Sequence, residues 1–247
     1  MINLELLIEF FKSKPIDIYR KFSKEKLSTQ KLITDYDNFM FIFTKRDIPC
    51  LVAHVDTWHN VLPKGIIYNR FSRKITSLDG LGADDRAGVY VLYKFLKSGK
   101  YNILLTNYEE VGGDGAIVCI DKIKDYLDLN DCFIQIDRKG RGEYVYYLEP
   151  EDEFQRILES TVFRLGNGVW SDVYILSSET KIAHANFSCG YYNNHTKNEF
   201  LLLDDLEMVL SLLSNDSFYR KIDARKYFIK KEQYSMNDIF SRFRMKK

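Results

Sequence analysis

Several features that would assign the chain to a broad class are missing from its sequence. The four cysteines are widely spaced and form no CxxC pair, which indicates buried free thiols in a reducing compartment. No apolar run approaches the roughly 20 residues of a membrane span. The first segment carries acidic residues within its apolar stretch and no basic stretch before it, unlike a signal peptide. These absences predict a cytoplasmic protein with no membrane partner.

A large excess of one charge is also missing. The net charge is +1, so the overall field gives no indication of nucleic acid or membrane binding. Residues 216–247 are the exception, because ten Lys or Arg residues outnumber four Asp or Glu residues there and alternate with aromatics. Such a composition is typical of a segment that contacts a partner. We favour an extension that lies on the acidic surface of residues 1–215, so nucleic acid is not an expected partner.

The order of apolar patterns predicts an α/β fold. Two helices are predicted within residues 1–30, and after them short apolar runs alternate with helical patterns. Predicted strands span 39–43, 50–55, 102–108, 132–137, 143–149 and 181–188, with helices at 85–99, 116–127, 152–161, 172–177 and 204–215. This alternation is typical of a three-layer sandwich with a mixed, largely parallel central sheet. We therefore predict one domain over residues 1–215, followed by the extension 216–247.

Acidic and imidazole side chains follow the ends of the predicted strands. They are His54 and Asp56, Glu109 and Glu110, Asp137 and His195, while Asp84 and Asp85 begin a helix at the same edge. Ligands of open parallel sheets bind at the carboxyl ends of the strands, and buried carboxylates need a positive partner. Only Arg86, Arg138 and Lys139 lie near, so a metal is the simplest source of that charge. Imidazole and carboxylate donors suit Zn²⁺, Mn²⁺ or Co²⁺, and their number suits two ions that share one carboxylate.

The motifs HVDT, GADDRAG, EEVG, ID and NNHT occur along the chain in that order. This order resembles the cocatalytic dizinc exopeptidase and amidohydrolase superfamily, which includes bacterial leucyl aminopeptidase, tetrahedral aminopeptidase, peptidase T and carboxypeptidase or deacylase relatives. The resemblance spans roughly residues 40–210. Lidded relatives insert a domain in one of two gaps, but here only 30 residues separate His54 from Asp84 and 58 separate Asp137 from His195. The chain therefore resembles the lidless, single-domain type.

The resemblance implies a role for each matching residue. It implies that His54, Asp84 and Asp137 bind one ion, that Asp84, Glu110 and His195 bind the other, that Glu109 is the general base, and that Asp56 accepts the remaining ring N–H of His54. It also implies a cis peptide bond between Asp84 and Asp85. The implied cofactor is a pair of divalent ions, zinc in the first place, with manganese or cobalt as alternatives. The implied chemistry is hydrolysis of amide bonds by a metal-bridging water.

Other polar residues near these motifs have a structural interpretation beside a functional one. Lidded relatives take an oxyanion-stabilising group from the lid, so Tyr191 or Tyr192 is a candidate donor here, although packing at the rim explains both equally. We expect His59 to be a solvated loop residue and His184 to be a packed core residue. Asp172 lies either near the pocket or at a helix N-cap.

Three functions follow from these residues. An aminopeptidase acting on short peptides is preferred. A carboxypeptidase or an N-acyl amino acid deacylase would need a cation for the substrate carboxylate, and Arg138, Lys139 or Arg141 could supply it. A non-catalytic binding module that uses residues 216–247 is the alternative from another class. The sequence leaves the oligomeric state open.

Overall fold

Residues 2–168 and 170–231 are described by a computed structural model. Their helices are α1 (Leu4–Phe11), α2 (Pro15–Glu25), α3 (Ala83–Phe95), α4 (Asp114–Leu127), α5 (Asp152–Glu159), α6 (Asp172–Thr180), α7 (Leu203–Ser214) and α8 (Asp216–Ile222). Their strands are β1 (Lys31–Asp35), β2 (Phe39–Phe43), β3 (Ile48–His54), β4 (Ile67–Asn69), β5 (Lys74–Thr76), β6 (Asn102–Thr106), β7 (Asn130–Arg138), β8 (Glu143–Val145), β9 (Arg164–Leu165), β10 (His184–Ser188), β11 (Tyr191–Tyr192) and β12 (Phe200–Leu202). A short 3-10 helix covers Glu109–Val111.

An eight-stranded sheet in the order β1-β2-β6-β3-β7-β10-β8-β9 forms the centre of the described chain. Its middle strands β6, β3, β7 and β10 are parallel neighbours, whereas β1, β2 and β8 pair antiparallel at the flanks. The predicted mixed, largely parallel sheet is therefore confirmed. Because the middle strands run in one direction, their carboxyl ends meet along one edge, where ligands of such sheets bind.

Strand β3 shows how both faces of this sheet are covered. All seven of its residues are buried. Leu51 and Ala53 belong to a core cluster that includes side chains of α1, α3 and α7, whereas Cys50 and Val52 belong to a second cluster with α4 and α6. A strand buried on both faces has an unbroken apolar run rather than an alternating one. Helices thus cover both sides of the sheet, as the three-layer prediction requires.

A second sheet, in the order β11-β12-β5-β4, was not predicted from the sequence. Its strands have two or three residues each, too few for an alternating pattern to be recognisable. The half-exposed edge strand β1 was missed as well. The small sheet matters for the site, because its β11–β12 loop carries His195 and the chain that follows β5 leads to Asp84.

The beginning of the predicted C-terminal extension packs onto the rest of the chain. Phe218 and Ile222 of α8, together with Tyr227, are buried in the larger core cluster. Residues 232–247, which make up the rest of the predicted extension, lie outside the described residues. The division at residue 215 therefore stays a prediction, although the core continues beyond it.

The cysteines are buried and free, as predicted. They are Cys50, Cys119, Cys132 and Cys189. Burial raises the pKa of each thiol, so all of them stay protonated and unreactive at neutral pH. Within residues 2–168 and 170–231, no helix combines the length and apolar character needed to cross a membrane.

His184 is a core histidine whose burial should make the protein sensitive to acid. Its Nε2 accepts a hydrogen bond from the backbone N–H of Tyr147 at 2.9 Å, and the two rings stack with centroids 5.7 Å apart. Burial lowers the pKa of His184 to about 3. The unfolded chain takes up this proton below its ordinary pKa of about 6.5, whereas the folded chain does not. This contribution to stability is therefore complete above about pH 6.5 and is lost as the pH falls towards 3.

Replacing His184 by Gln should remove this pH dependence, because Gln keeps a hydrogen-bond acceptor but does not titrate. Between about pH 7 and pH 5, the wild-type protein should lose about 2 kcal/mol more unfolding free energy than His184→Gln does. Urea unfolding of both proteins at several pH values measures the difference, and all other titrating groups cancel. Parallel curves for the two proteins would show that folding does not lower the pKa of His184.

Candidate metal centre

The carboxyl edge of the sheet gathers side chains from three neighbouring strands. His54 is the last residue of β3, and Asp137 is the next-to-last residue of β7. The 3-10 helix that follows β6 begins with Glu109 and Glu110. Because β6, β3 and β7 are adjacent and parallel, these four side chains start from the same edge.

Two further side chains come from outside the main sheet. Asp84 lies in the first turn of α3, and its peptide bond to Asp85 is cis, as predicted. His195 lies in the β11–β12 loop with a left-handed φ of 63°. A Cβ on Gly88 would lie 2.0 Å from the carbonyl oxygen of Ile136, so only glycine lets α3 approach β7 this closely.

These side chains form two donor sets that share Asp84. The first donor set is His54, Asp84 and Asp137, and the second donor set is Asp84, Glu110 and His195. Within each set, one ligand atom per residue lies within 4.8 Å of the others. The Oδ1 of Asp84 lies 3.2 Å from His54 Nε2, whereas its Oδ2 lies 3.3 Å from His195 Nε2. Each oxygen of the shared carboxylate therefore points at a different set.

The donor spacing fits divalent ions. Ligands held about 2.0–2.2 Å from a tetrahedral ion lie roughly 3.3–3.6 Å from one another. His54 Nε2 lies 3.5 Å from Asp137 Oδ1, which is within this range. His195 Nε2 lies 2.9 Å from Glu110 Oε2, a hydrogen-bond distance that would have to lengthen by a few tenths of an ångström around an ion. One imidazole and two carboxylates in each set suit Zn²⁺, Mn²⁺ or Co²⁺. The residues present thus fit two divalent ions, and Asp84 would be a ligand common to both donor sets.

The electrostatics of the site indicate the same need for positive charge. Burial raises the pKa of Asp137 to about 7, with His54 opposing the rise and the charge of Asp84 adding to it. Burial also raises the pKa of Glu109. Burial would raise the pKa of Asp84 too, but hydrogen bonds from His195 and His54 hold it well below its ordinary value. A dication among these carboxylates would relieve their mutual repulsion.

Asp56 holds the ring of His54 and the 3-10 turn that carries Glu109 and Glu110. Its Oδ1 lies 3.2 Å from His54 Nδ1, the contact predicted from the sequence, so Nε2 of this ring is left for the first donor set. The same carboxylate accepts the backbone N–H of Glu109 at 3.2 Å and that of Glu110 at 3.1 Å. Burial would raise the pKa of Asp56, but its contact with His54 lowers it below the ordinary value.

The side chain of Asp85 accepts hydrogen bonds from the backbone and belongs to neither donor set. It is fully buried. Its Oδ2 accepts the backbone N–H of His54 at 3.3 Å, and its Oδ1 accepts that of Gly88 at 2.9 Å. Asp85 therefore ties the first turn of α3 to the end of β3 and so places its neighbour Asp84.

A buried glutamate that the sequence analysis missed supports the approach to Asp84. Glu199 is 1% exposed and accepts hydrogen bonds from the backbone N–H groups of Leu81, Gly82 and Asp84 at 3.1, 2.6 and 3.0 Å. His59 Nε2 lies 2.8 Å from the same carboxylate, so the prediction of a solvated His59 is wrong. Glu199 belongs to a polar loop, where no local pattern distinguishes it from a solvated residue.

Glu199→Gln should destabilise the protein, because an amide cannot accept all these N–H groups and presents its own donors to some of them. We expect a loss of about 1.5–3 kcal/mol in unfolding free energy, measured by urea unfolding. Glu207→Gln is the matched control, since Glu207 pairs with Arg73 at 2.9 Å on the surface, where an ion pair contributes less than about 1 kcal/mol. Equal losses in the two variants would contradict the structural role of Glu199.

Tyrosine hydroxyls and an asparagine amide donate hydrogen bonds to the carboxylates of the site and to a carboxylate of α7. The phenol of Tyr191 donates to Asp137 Oδ1 at 3.2 Å, and that of Tyr192 donates to an aspartate of α7 at 2.7 Å. Both tyrosines are thus engaged, which favours the packing interpretation over a role as oxyanion donor. The side-chain amide of Asn194 donates to Asp84 Oδ2 at 2.8 Å, a contact that the sequence analysis did not anticipate.

Asp172 is buried close to the site. The N-cap of α6 is Ser171, so the proposed N-cap role for Asp172 is wrong. Thr106, the last residue of β6, donates to Asp172 Oδ2 at 2.5 Å. Burial raises the pKa of Asp172 to about 6, opposed by Thr106 and the charge of His54 and supported by that of Asp56. The pocket interpretation of this residue is the one that the structure favours.

The two arginines that follow Asp137 are directed at other carboxylates. Arg138 lies 2.5 Å from Glu143 and also donates to a backbone carbonyl at 3.1 Å. Arg141 lies 3.5 Å from Asp205. Lys139 is exposed. The two arginines considered for binding a substrate carboxylate are therefore already paired.

The sequence matches no family model and no curated protein, but the structure has relatives. A tripeptidase from Staphylococcus aureus is 13% identical with a TM-score of 0.65, over 91% of this chain and 100% of that one. Aminopeptidase PepT from Bacillus cereus is 13% identical with a TM-score of 0.62, over 90% and 98%. BSAP, a zinc aminopeptidase from Bacillus subtilis, is 17% identical with a TM-score of 0.51, over 81% and 52%. The chain has the zinc-exopeptidase fold.

The zinc-exopeptidase fold is what these structures share at such low identity, so function must be argued from the site itself. In this chain the two donor sets lie at the carboxyl ends of β3 and β7, where an open sheet binds ligands. The fold predicted from the motifs is therefore confirmed, and the chemistry depends on the donor sets and their neighbours.

Proposed function

We propose that the chain is a metal-dependent hydrolase of peptide bonds, an aminopeptidase that acts on short peptides with two divalent ions. The observation that carries this proposal is the pair of donor sets that share Asp84. Glu109 directly precedes Glu110, a member of the second donor set, in the sequence. The tripeptidase and the aminopeptidases with the same fold support the reaction class.

Each donor set would bind one ion. His54 and Asp137 would hold one ion, Glu110 and His195 would hold the other, and Asp84 would contact both. Two bound dications would supply a water of lowered pKa and an electrophile for the substrate carbonyl. Zinc is the preferred ion because of the nitrogen and oxygen donors, with manganese or cobalt next.

Glu109 is the proposed general base. Burial raises the pKa of Glu109, and among the nearby charges His54 opposes the rise while Asp137 and Asp84 add to it. A general base with a raised pKa holds the transferred proton more readily. Glu109 would take a proton from the attacking water and return it to the leaving amine. Its position is fixed because its backbone N–H donates to Asp56.

The charges around the pocket favour a substrate with a free amino terminus. Arg138 and Arg141, which could have received a substrate carboxylate, bind Glu143 and Asp205 instead. A substrate ammonium needs a carboxylate or carbonyl oxygen rather than a cation. Of the three basic residues considered, only Lys139 is left for a substrate carboxylate, so we prefer the aminopeptidase over the carboxypeptidase and the N-acyl amino acid deacylase.

The test is a substrate panel on the full chain loaded with Zn²⁺, Mn²⁺ or Co²⁺. Amino-acid 4-nitroanilides, N-acetyl amino acids and N-blocked dipeptides distinguish an aminopeptidase, a deacylase and a carboxypeptidase. We expect hydrolysis of the anilides only, with loss of activity in chelator, recovery on adding metal back, and two ions per chain by elemental analysis.

Other outcomes assign the chain differently. Cleavage of only the N-acetyl amino acids would show a deacylase instead, and cleavage of only the N-blocked dipeptides would show a carboxypeptidase. No hydrolysis and no tightly bound ion under any loading condition would overturn it in favour of a non-catalytic binding module.

A further inference from the structure

We infer that Trp58 is a positioning residue for the second donor set. Its ring holds His195 and its backbone N–H holds Glu110, the two members of that set other than Asp84. This inference rests on the proposed function, since it concerns how one of the proposed ions is bound. Trp58 lies four residues after His54, in the segment that follows β3, and is 53% exposed. It belongs to neither donor set itself.

The first contact is with the ring of His195. The indole of Trp58 and the imidazole of His195 stack with centroids 4.8 Å apart and an interplanar angle of 19°. His195 needs such support, because it comes from a loop rather than a strand and its side chain is 39% exposed. His54, its counterpart in the first donor set, is 1% exposed and held by Asp56. A metal-binding histidine depends on neighbours that fix its ring orientation.

The second contact is with Glu110. The backbone N–H of Trp58 donates to Glu110 Oε1 at 3.2 Å, and the other oxygen, Oε2, lies 2.9 Å from His195 Nε2. One oxygen of Glu110 is thus held by Trp58 while the other points into the second donor set. A single residue therefore fixes both ligands that distinguish this set from the first.

The two contacts make a prediction specific to one ion. Truncating the ring leaves the first donor set untouched, because its ligands are buried and held by Asp56 and by the neighbours of Asp137. The second ion should be bound more weakly, since the imidazole of His195 would have to be ordered on binding. Loss of a neighbour that orients a ligand typically weakens metal binding by about 10- to 100-fold.

The experiment compares Trp58→Ala and Trp58→Phe with the wild-type chain by calorimetric titration with Zn²⁺. We expect Trp58→Ala to bind the first ion as the wild type does and the second about 10- to 100-fold more weakly. Trp58→Phe should stay within a few-fold of wild type, because phenylalanine also stacks on imidazole. Val111→Ala is the matched control, since Val111 is an apolar side chain next to Glu110 that is 72% exposed. Circular dichroism establishes that each variant folds.

Fluorescence gives a readout that does not depend on the truncation. The chain has two tryptophans, so Trp170→Phe leaves Trp58 as the only tryptophan, which is excited at a wavelength that its 17 tyrosines do not absorb. We expect its emission to change with the second equivalent of Zn²⁺ and not with the first. Equal affinity of wild type and Trp58→Ala for the second ion, or emission that is insensitive to it, would overturn this inference alone. Failure of the wild type to bind two ions would instead overturn the proposed function.

Discussion

Glu109→Gln is expected to lower kcat for amino-acid anilides by about 10²- to 10⁴-fold while two ions remain bound. Glutamine has the shape of glutamate and keeps the backbone N–H that donates to Asp56, but it cannot take a proton from water. Glu109 belongs to neither donor set, so metal content should not change. Anilide hydrolysis and elemental analysis on the same preparation measure both quantities.

The control for Glu109→Gln is Glu143→Gln, which makes the same chemical change in a glutamate that pairs with Arg138 at the surface. It should leave kcat within a few-fold of wild type. Turnover of Glu109→Gln at the wild-type rate would place the general base elsewhere. Loss of an ion together with activity would make Glu109 a ligand rather than a base.

The middle of the central sheet could be predicted because its strands β6, β3, β7 and β10 are buried on both faces. In β3, Leu51 and Val52 belong to different core clusters, so the run has no polar interruption and is recognisable from the sequence. The small sheet could not be predicted in this way. Its longest strands, such as Lys74–Thr76, have three residues, and pairing between distant segments rather than local pattern creates them.

The candidate donors could be predicted because they lie at the ends of buried strands. A polar side chain that is buried there without a partner costs free energy, so its presence indicates a ligand or a bonding partner. His54 and Asp137 end apolar runs, and the glycines of GADDRAG mark the close approach of α3 to β7. The supporting residues could not be predicted, since their partners are far away in the chain. Glu199 contacts backbone 115 to 118 residues before it, and the N–H of Trp58 reaches Glu110 52 residues after it. Loop residues of this kind resemble solvated ones until the fold is known.

Asp84→Asn is expected to reduce the ions bound per chain from two to at most one and to lower hydrolysis by at least about 10³-fold. Each oxygen of Asp84 points at a different histidine, so an amide, with one oxygen and no charge, cannot serve both donor sets. Two bound ions would contribute several kcal/mol of transition-state stabilisation, and about 4 kcal/mol corresponds to 10³-fold in rate. Elemental analysis and anilide hydrolysis test the two parts separately.

The neighbouring aspartate makes this test specific. Asp85→Asn is the same substitution one residue further, but Asp85 accepts the backbone N–H groups of His54 and Gly88 instead of pointing into a donor set. Its amide would oppose one of those donors and cost roughly 1–3 kcal/mol of unfolding free energy, with two ions still bound. The pair of variants thus separates metal content from stability. Two tightly bound ions in Asp84→Asn would mean that the donor sets do not share this carboxylate, and the bridged centre would have to be abandoned.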